Sequence, residues 1–416
     1  MQIMYLGKVT LLPLVTILPI ALSLHDARAA GADADAELKS RAQKLAQKLL
    51  LIDTHLDTPW EVHKKWYDIS VRAEKGQFDY VRARQGGLNA AIMVAYIAPE
   101  YEEKGGARGL ADQMIEEVKG YVQKWPDKFA LAASPQEVRS QFGGRITLIP
   151  AIENGSALED DLKNLKYFYD RGVRYMTLCH SKNNHLCDSS FDQGPKWHGL
   201  SPFGKQVVAE MNRLGMMIDV SHVSDDTFYQ VIELSKAPVV ATHSACRHFT
   251  PGWQRNMSNE MICDLAAKGG VIQINFGSIF INMTTNREFV KLSEEIRRYI
   301  EAHNLQGEER INYTRQRFKQ AQFTKASVSQ VADHIDHVVK LVGIDHVGLG
   351  SDFDGVEQVP EGLEDVSGYP NLIYELLKRG YSEEALKKIC AENFLRAWTQ
   401  ILQAAATSSE TADKTR

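Results

Sequence analysis

Several short apolar runs of this chain end directly on a histidine or a carboxylate residue. These runs cover residues 50–57, 148–153, 217–222 and 239–243. In a barrel of parallel strands the functional groups sit at the carboxyl ends of the strands, so ligands from distant parts of a sequence can meet around one point. Imidazole and carboxylate groups are the usual ligands of zinc. The spacing therefore predicts a metal centre built from strand ends.

The position of each candidate ligand decides how strongly it supports this prediction. His55 and Asp57 lie two residues apart, and the two-residue period of a strand places both on one face. Alone, such a pair is more often structural, but its place at a strand end favours a ligand role. Glu153 also ends an apolar run, and an unpartnered buried carboxylate is costly or stays protonated. A lysine or arginine could neutralise Glu153, but His222 and His243, each at a strand end, favour zinc.

An acidic segment flanked by glycines, residues 350–355, follows the last apolar run. Two aspartates in such a segment can simply form an Asx turn. Asp352 stands at the tip of the strand, at the same mouth as the candidate ligands, and we assign it to proton transfer. Asp354 is assigned to the structure of the loop.

The other histidines are interpreted mainly as structural residues. We expect satisfied surface or core groups at His63, His248, His303, His334 and His337. His346 precedes the last strand and is expected at the opposite mouth of the barrel. His185 and His198 follow the fourth strand. A place near the substrate stays open for both, with a structural role favoured.

Eight strands alternate with amphipathic helical segments along the chain. The strands end near Asp57, Ile97, Glu153, His180, His222, His243, Phe276 and Asp352. Their continuous hydrophobicity indicates burial on both faces, as in parallel sheets covered by helices. The pattern predicts an α/β fold, a (β/α)8 TIM barrel with helical insertions. A doubly wound open sheet also alternates strands and helices, but no G-x-G-x-x-G turn follows a strand here.

The composition is that of one globular domain. The chain has 416 residues, of which 44% are hydrophobic and 24% charged, and its formal net charge is −5. It contains no dense block of lysine and arginine, so nucleic acid is not an expected partner. We expect a single barrel domain over residues 30–403, with the charged segment 282–325 as a helical excursion over the barrel mouth. Residues 404–416 are predicted to form a polar, disordered tail.

The first 29 residues have the features of a signal peptide. Lys8 precedes an apolar stretch over residues 9–24, and residues 27–29 (Ala-Arg-Ala) form a small-x-small cleavage pattern. An uncleaved membrane anchor is the alternative, but the stretch is short for a spanning helix and contains Pro13 and Pro19. The expected mature protein is exported, periplasmic or secreted, with no stable membrane anchor after cleavage.

Seven motifs follow one another along nearly the whole mature chain. They are residues 53–60 (DTHLDTPW), 152–155 (IENG), 177–181 (TLCHS), 219–224 (DVSHVS), 242–244 (THS), 255–257 (RNM) and 350–355 (GSDFDG). Each motif alone is weak, whereas the set is highly specific and resembles the membrane dipeptidase (renal dipeptidase) family of zinc peptidases.

The resemblance implies a dipeptidase with two zinc ions per chain. It implies that His55 and Asp57 bind one zinc ion, that His222 and His243 bind the second, and that Glu153 bridges both. A hydroxide shared by the two ions would attack the peptide bond of a dipeptide with a free C-terminal carboxylate.

Further roles follow from the same resemblance. His180 would steady the carbonyl oxygen of the scissile bond, and Arg255 would hold the C-terminal carboxylate. Asp352 would be the general acid and base, and Trp60 would line the pocket. One departure concerns Gly277, where a substrate-contacting tyrosine is expected in animal relatives. A homodimer is also expected from the family.

Two other functions compete with this one. Another metal-dependent amidohydrolase, acting on lactones, cyclic amides or phosphoesters, would commonly open with H-x-H and use a bridging lysine. A non-enzymatic exported zinc-binding protein would not require Asp352 and Arg255 beside a complete ligand set. The sequence favours dipeptide hydrolysis over both.

Overall fold

Eight parallel strands form a nearly closed barrel in the structure, a computed structural model that describes residues 21–414 and the side chains of residues 33–407. The described residues contain nine strands, eight of the barrel and one beside it: β1 (Ile52–Leu56), β2 (Ala90–Tyr96), β3 (Phe129–Leu131), β4 (Ile146–Glu153), β5 (Tyr175–Thr177), β6 (Met217–Asp219), β7 (Val240–Ser244), β8 (Val271–Ile274) and β9 (Val347–Leu349). The barrel order is β1-β2-β4-β5-β6-β7-β8-β9. β3 lies outside this order and pairs with the start of β4. The predicted TIM barrel is confirmed, and β3 is not among the predicted strands.

Helices connect the strands and cover the outside of the barrel. They are α1 (Ala21–Lys48), α2 (Thr58–Lys64), α3 (Tyr80–Gly86), α4 (Tyr101–Lys104), α5 (Ala107–Lys124), α6 (Pro135–Ser140), α7 (Lys163–Asp170), α8 (Pro202–Leu214), α9 (Asp225–Leu234), α10 (Asn259–Ala267), α11 (Ser278–Ile281), α12 (Met283–Ala302), α13 (Gly307–Gln320), α14 (Val328–Val342), α15 (Tyr369–Lys378), α16 (Glu383–Lys387) and α17 (Asn393–Lys414). Several helices begin after a residue whose side chain caps the first turn. For example, the Ser201 hydroxyl accepts a hydrogen bond from Gly204 N at 2.9 Å and caps α8.

Hydrogen bonds between β1 and the residues after β9 close the barrel. Asp352 N donates to His55 O at 3.1 Å, and Asp57 N donates to Phe353 O at 3.0 Å. The Thr54 hydroxyl adds a bond to Leu349 O at 3.1 Å. This seam joins the two ends of the domain and sets Asp352 beside His55 and Asp57.

Strand pairing becomes irregular where two of the candidate ligands leave the sheet. The register between β1 and β2 shifts between Asp53 and Leu56, and that between β7 and β8 shifts between Ala241 and Ser244. Irregularities of this kind bend a strand and re-aim its side chains. His55 and His243 lie within these two stretches, so each shift occurs where a histidine turns towards the site.

The last helix closes the opposite end of the barrel. Phe394 and Trp398 of α17 pack with residues at the beginnings of the strands, among them Ile52, Ala90 and Val271. Trp398 is fully buried. Because α17 covers the amino-terminal ends of the strands, the carboxyl-terminal mouth is the end at which a site can open.

The charged segment 282–325 consists of helices, as predicted. It contains α12 and α13, and Phe289, Arg315, Phe318 and Phe323 from this region line the cavity at the barrel mouth. The predicted excursion over the mouth is therefore confirmed.

The predicted limits of the domain can be compared with the described residues at each end of the chain. Residues 1–20 of the predicted signal peptide lie outside the described residues, and the cleavage stays a prediction. The helix α17 extends to Lys414 and so includes most of the segment 404–416, where the sequence predicts a polar tail. Within residues 21–414, no helix has both the length and the apolar character needed to cross a membrane.

We expect Trp398→Ala to lower the free energy of unfolding by about 3–5 kcal/mol, because it opens a large cavity in a packed core. Trp66→Ala is the matched control, since Trp66 is 62% exposed, and it should cost less than about 1 kcal/mol. Urea unfolding followed by circular dichroism measures both. Equal effects of the two substitutions would show that α17 does not seal the barrel.

Candidate active site

Five predicted metal ligands converge at the carboxyl-terminal mouth of the barrel. They are His55 and Asp57 at the end of β1, Glu153 at the end of β4, His222 after β6 and His243 in β7. All five side chains are almost completely buried. His222 and Asp352 adopt left-handed backbone conformations, with φ of 70° and 64°. Such strain in residues other than glycine is concentrated at functional sites.

Glu153 lies at the centre of this cluster. Its Oε1 atom is 3.1 Å from His222 Nε2, 3.2 Å from His243 Nε2 and 3.8 Å from His55 Nε2. On the other side of His55, the distance from Nε2 to Asp57 Oδ2 is 3.4 Å. One carboxylate oxygen thus faces three imidazoles that lie in or directly after three different strands.

Hydroxyl groups beneath the cluster orient two of the imidazoles. The Tyr175 hydroxyl is 2.7 Å from His55 Nδ1, and the Thr242 hydroxyl is 2.9 Å from His243 Nδ1. The Thr242 hydroxyl also donates to Asp219 Oδ2 at 2.7 Å. Contacts on Nδ1 leave Nε2 of both rings directed at Glu153. Partners of this kind fix ring orientation in metal sites.

The charges of the cluster call for a cation. Burial, opposed by His55 and reinforced by Asp57 and Asp352, raises the pKa of Glu153 well above its usual range. Burial lowers the pKa of His55, but Asp57 and Glu153 outweigh that effect and raise it to about 10. Among the described residues, the buried cations whose charges oppose the raised pKa of Glu153 and Asp352 are His55 and Arg255. A divalent ion would resolve this imbalance and displace the protons.

Unpartnered polar atoms give the same indication. His55 Nε2 and Asp57 Oδ1 are buried and have no hydrogen-bond partner. His222 Nε2 and His243 Nε2 lie only 2.8 Å apart. Burial lowers the pKa of both rings well below the usual range, so each is neutral and has a nitrogen lone pair available.

Among the described residues, three groups of side chains have ligand atoms within 4.8 Å of one another: His55, Glu153 and His243; Glu153, His180 and His222; His55, Asp57 and Asp352. The residues therefore fit a metal centre.

Asp352 is held at the edge of the cluster by its neighbours. Its Oδ2 atom accepts a hydrogen bond from Asn275 Nδ2 at 2.7 Å, and burial raises its pKa to about 7. The loop that contains Gly355 packs closely against it. A Cβ atom at position 355 would lie 2.4 Å from Asp352 Oδ1 and 2.2 Å from Asp57 Oδ2. No larger residue allows the backbone to approach the two carboxylates so closely.

Arg255 reaches the cluster from the loop after β7. Its Nη2 atom donates to His243 O at 2.8 Å and lies 3.1 Å from His222 Nε2, and Nη1 donates to the Ser244 hydroxyl at 3.1 Å. The side chain is buried, and its Nε has no partner. The guanidinium is thus fixed beside the cluster, and its Nε–H is available as a hydrogen-bond donor.

A cavity of about 660 Å³ opens from the cluster to the surface. His180 lies on its wall, with its ring centroid 4.8 Å from that of Tyr96 and 4.4 Å from that of His222. Trp60 packs edge-on against Tyr96 at 5.4 Å. Burial and then Arg255 lower the pKa of His180 to about 3, so the ring is neutral and can donate one N–H. The structure thus brings together every predicted site residue.

Four residues that support the site are absent from the sequence prediction. Tyr175 and Asp219 hold the ligands from below, Asn275 holds Asp352, and Tyr96 forms part of the cavity wall. Tyr96 and Asn275 stand at or next to the end of β2 and of β8, and this position is the only signal that could have indicated them. Nothing in the sequence signals that Tyr175 reaches across to His55.

Four other histidines have partners outside the cluster, as predicted for structural residues. His334 accepts from Cys246 N at 3.0 Å, and His63 lies 2.8 Å from Glu117. His346 lies 2.8 Å from Gly270 O, before β9. His185 is bound by Glu102 at 3.0 Å, and neither it nor His198 lines the cavity. The Asp354 carboxylate accepts from the Thr58 hydroxyl at 2.6 Å and so has the predicted role in loop structure, although it also borders the cavity.

The chain is similar to proteins that are named dipeptidases. Residues 39–412 match the family Membrane dipeptidase (Peptidase family M19). Dipeptidase verJ of Clonostachys rogersoniana is 31% identical over 391 residues, covering 90% of each protein. Dipeptidase ataJ of Aspergillus terreus is 32% identical over 397 residues, covering 87% of each. The crystal structure of the probable dipeptidase PvdM from Pseudomonas aeruginosa is 29% identical, with a TM-score of 0.77 over 89% of this chain and all of that one.

The fold and the cluster of histidines and carboxylates define a metal-dependent hydrolase of the TIM-barrel class. The chain belongs to the membrane dipeptidase family, peptidase family M19, and is a metallo-dipeptidase.

We expect Tyr175→Phe to weaken metal binding by about 10- to 100-fold, because it removes the hydroxyl that orients His55. Tyr229→Phe is the matched control, since this tyrosine is 42% exposed, and its affinity should equal that of the wild type. Competition with a chromogenic chelator measures both affinities. An unchanged affinity of Tyr175→Phe would show that the hydroxyl does not position the ligand.

Proposed function

We propose that this protein is a zinc-dependent dipeptidase that binds two zinc ions and hydrolyses dipeptides with a free C-terminal carboxylate. The observation that carries the proposal is the position of Glu153, whose Oε1 faces His222, His243 and His55 at 3.1, 3.2 and 3.8 Å. His55 and Asp57 would hold one ion, and His222 and His243 the other, with Glu153 between them. Nitrogen ligands together with carboxylates suit zinc.

Two zinc ions at this site would supply an activated water as nucleophile and polarise the scissile carbonyl group. The ions would be open to the cavity, because Glu153, His180 and Asp352 line it. An open position of this kind is typical of catalytic sites and not of sites that only store metal.

Asp352 has the position and environment of a general acid and base. It is buried beside His55 and Asp57, and Asn275 fixes one of its oxygens. In the reaction its carboxylate would take the proton from the attacking water and return it to the leaving amine nitrogen. Because the barrel seam fixes the Asp352 backbone, this proton carrier is positioned before the substrate binds.

His180 and Arg255 would bind two different groups of the substrate, the scissile carbonyl oxygen and the terminal carboxylate. The neutral His180 ring can donate its N–H to the developing charge on the carbonyl oxygen, in a site formed before the reaction. His180 lies close enough to Glu153 and His222 to be a ligand, but it is more open to the cavity than either, which favours contact with the substrate. Arg255 would pair with the terminal carboxylate. Trp60 and Tyr96 would shield this region from water.

We expect Asp352→Asn to lower kcat by about 10²- to 10⁴-fold, because the amide cannot carry the proton. Metal analysis should still find two zinc ions per chain in this variant. Asp345→Asn is the matched control, because Asp345 pairs with Lys388 at the closed end of the barrel, and full activity is expected. Full turnover of Asp352→Asn with both ions bound would exclude Asp352 as the proton carrier.

We expect Arg255→Ala to reduce the preference for a free over an amidated C-terminus by about 10- to 100-fold in kcat/KM, since hydrogen bonds to charged groups are worth about 1.5–3 kcal/mol. Arg145→Ala, at an exposed arginine, should retain the wild-type preference. Parallel assays with dipeptides and dipeptide amides, with zinc content determined for each variant, measure the ratio. A ratio that does not change with Arg255→Ala contradicts the carboxylate contact.

A further inference from the structure

Aromatic side chains line one wall of the cavity from the metal site to its outer end. The Phe191 ring lies 5.8 Å from the His222 ring and 5.9 Å from Trp253, between ring centroids. Trp253 stacks on Phe280 at 5.3 Å, and Phe289 stacks on Phe318 at 5.4 Å. We call this set the aromatic wall: Phe191, Trp253, Phe280, Phe289, Phe318 and Phe323. All except Trp253 border the cavity itself.

The absence of a side chain at Gly277 leaves space beside this wall for other side chains. A Cβ atom at position 277 would lie 2.6 Å from Phe280 Cδ2 and 2.9 Å from Val356 Cγ1. Its backbone φ of −56° is ordinary for any residue, so the requirement for glycine here is one of space. The volume that a tyrosine side chain would need is filled by two apolar side chains, and this part of the cavity therefore presents carbon surface.

Arg255 relates the aromatic wall to the substrate. Its guanidinium lies 5.0 Å from the centroid of the Phe280 ring, so the group proposed to bind the terminal carboxylate rests on the wall. A C-terminal residue held by Arg255 has its side chain on the same Cα atom as that carboxylate. This side chain therefore lies within reach of Phe280 and the rings beyond it.

Charged side chains border another part of the cavity. They are Asp57, Glu61, Lys64 and Asp354, which lie beside the rings of Trp60 and Tyr96, and Glu61 and Lys64 pair with each other. An apolar side chain would strip water from these charges without replacing their hydrogen bonds. Against the aromatic wall it buries carbon surface at no such cost.

We propose that the aromatic wall is the specificity subsite for the C-terminal residue, and that the enzyme prefers dipeptides in which this residue is large and aromatic. The inference rests on the proposed function. In the wild type, kcat/KM for glycyl-phenylalanine should exceed that for glycyl-alanine by about 10-fold or more, the discrimination that an apolar pocket can supply. It should also exceed that for phenylalanyl-glycine.

Three variants test the subsite in the zinc-loaded enzyme. Phe280→Ala and Phe318→Ala should each bring the ratio of the two glycyl dipeptides down by about 5- to 10-fold, mainly through KM for glycyl-phenylalanine. Gly277→Ala should lower the same ratio, because its methyl group displaces the Phe280 ring. Phe142→Ala is the matched control, since Phe142 is 42% exposed and lies outside the cavity, and it should keep the wild-type ratio. Phe318 is only half-buried on α13, so its variant serves if Phe280→Ala does not fold.

The outcomes separate the subsite from the proposed function. Hydrolysis of all three dipeptides at similar kcat/KM, or a preference for phenylalanyl-glycine, would overturn the subsite and leave the dipeptidase intact. A wild-type preference that Phe318→Ala leaves unchanged would also overturn it. No hydrolysis of any of them by protein that holds two zinc ions would overturn the proposed function, and the subsite with it.

Discussion

The burial of several carboxylates at one point is the constraint on which this structure depends. Glu153, Asp57 and Asp352 lie together at the barrel mouth, shielded from water, and the buried cations of the described residues that act on them are His55 and Arg255. Burial, reinforced by their mutual repulsion, raises the pKa of Glu153 and of Asp352. A protein retains such an arrangement when a cation compensates it, because an uncompensated buried charge is costly. The metal centre thus explains why the polar residues at these strand ends are tolerated.

The two ends of the barrel have different roles in this arrangement. At the closed end, α17 inserts Phe394 and Trp398 beneath the strands and supplies apolar packing. At the open end, the seam between β1 and the residues after β9 fixes Asp352, and irregular pairing in β1 and β7 turns His55 and His243 inward. Stability is thereby concentrated where no chemistry occurs, and the strained residues His222 and Asp352 are held by a rigid frame.

The site and the specificity surface come from different parts of the chain. The metal ligands belong to strand ends, whereas most of the aromatic wall comes from α11, α12, α13 and the loop that follows. The charged excursion over the mouth therefore has a chemical consequence, because it adds aromatic side chains to the cavity that opens over the polar ligands. The space beside Gly277 joins the two parts, since Phe280 fills it beneath Arg255. Substrate preference can then change through this region while the ligand set stays constant.

The sequence alone determined the barrel and its eight strands, and it predicted the candidate ligands, because each candidate is a local feature: a histidine or carboxylate at the end of an apolar run, as at His55, Glu153 and His243. Tertiary structure decided which groups support them. Tyr175 contacts His55 through its hydroxyl, and Asn275 contacts Asp352, although each pair is far apart in the chain. The short strand β3 and the filling of the space at Gly277 by Phe280 are likewise invisible in the sequence. These features depend on distances between side chains across the barrel, which periodicity cannot encode, whereas strand ends are fixed by the local pattern of hydrophobicity.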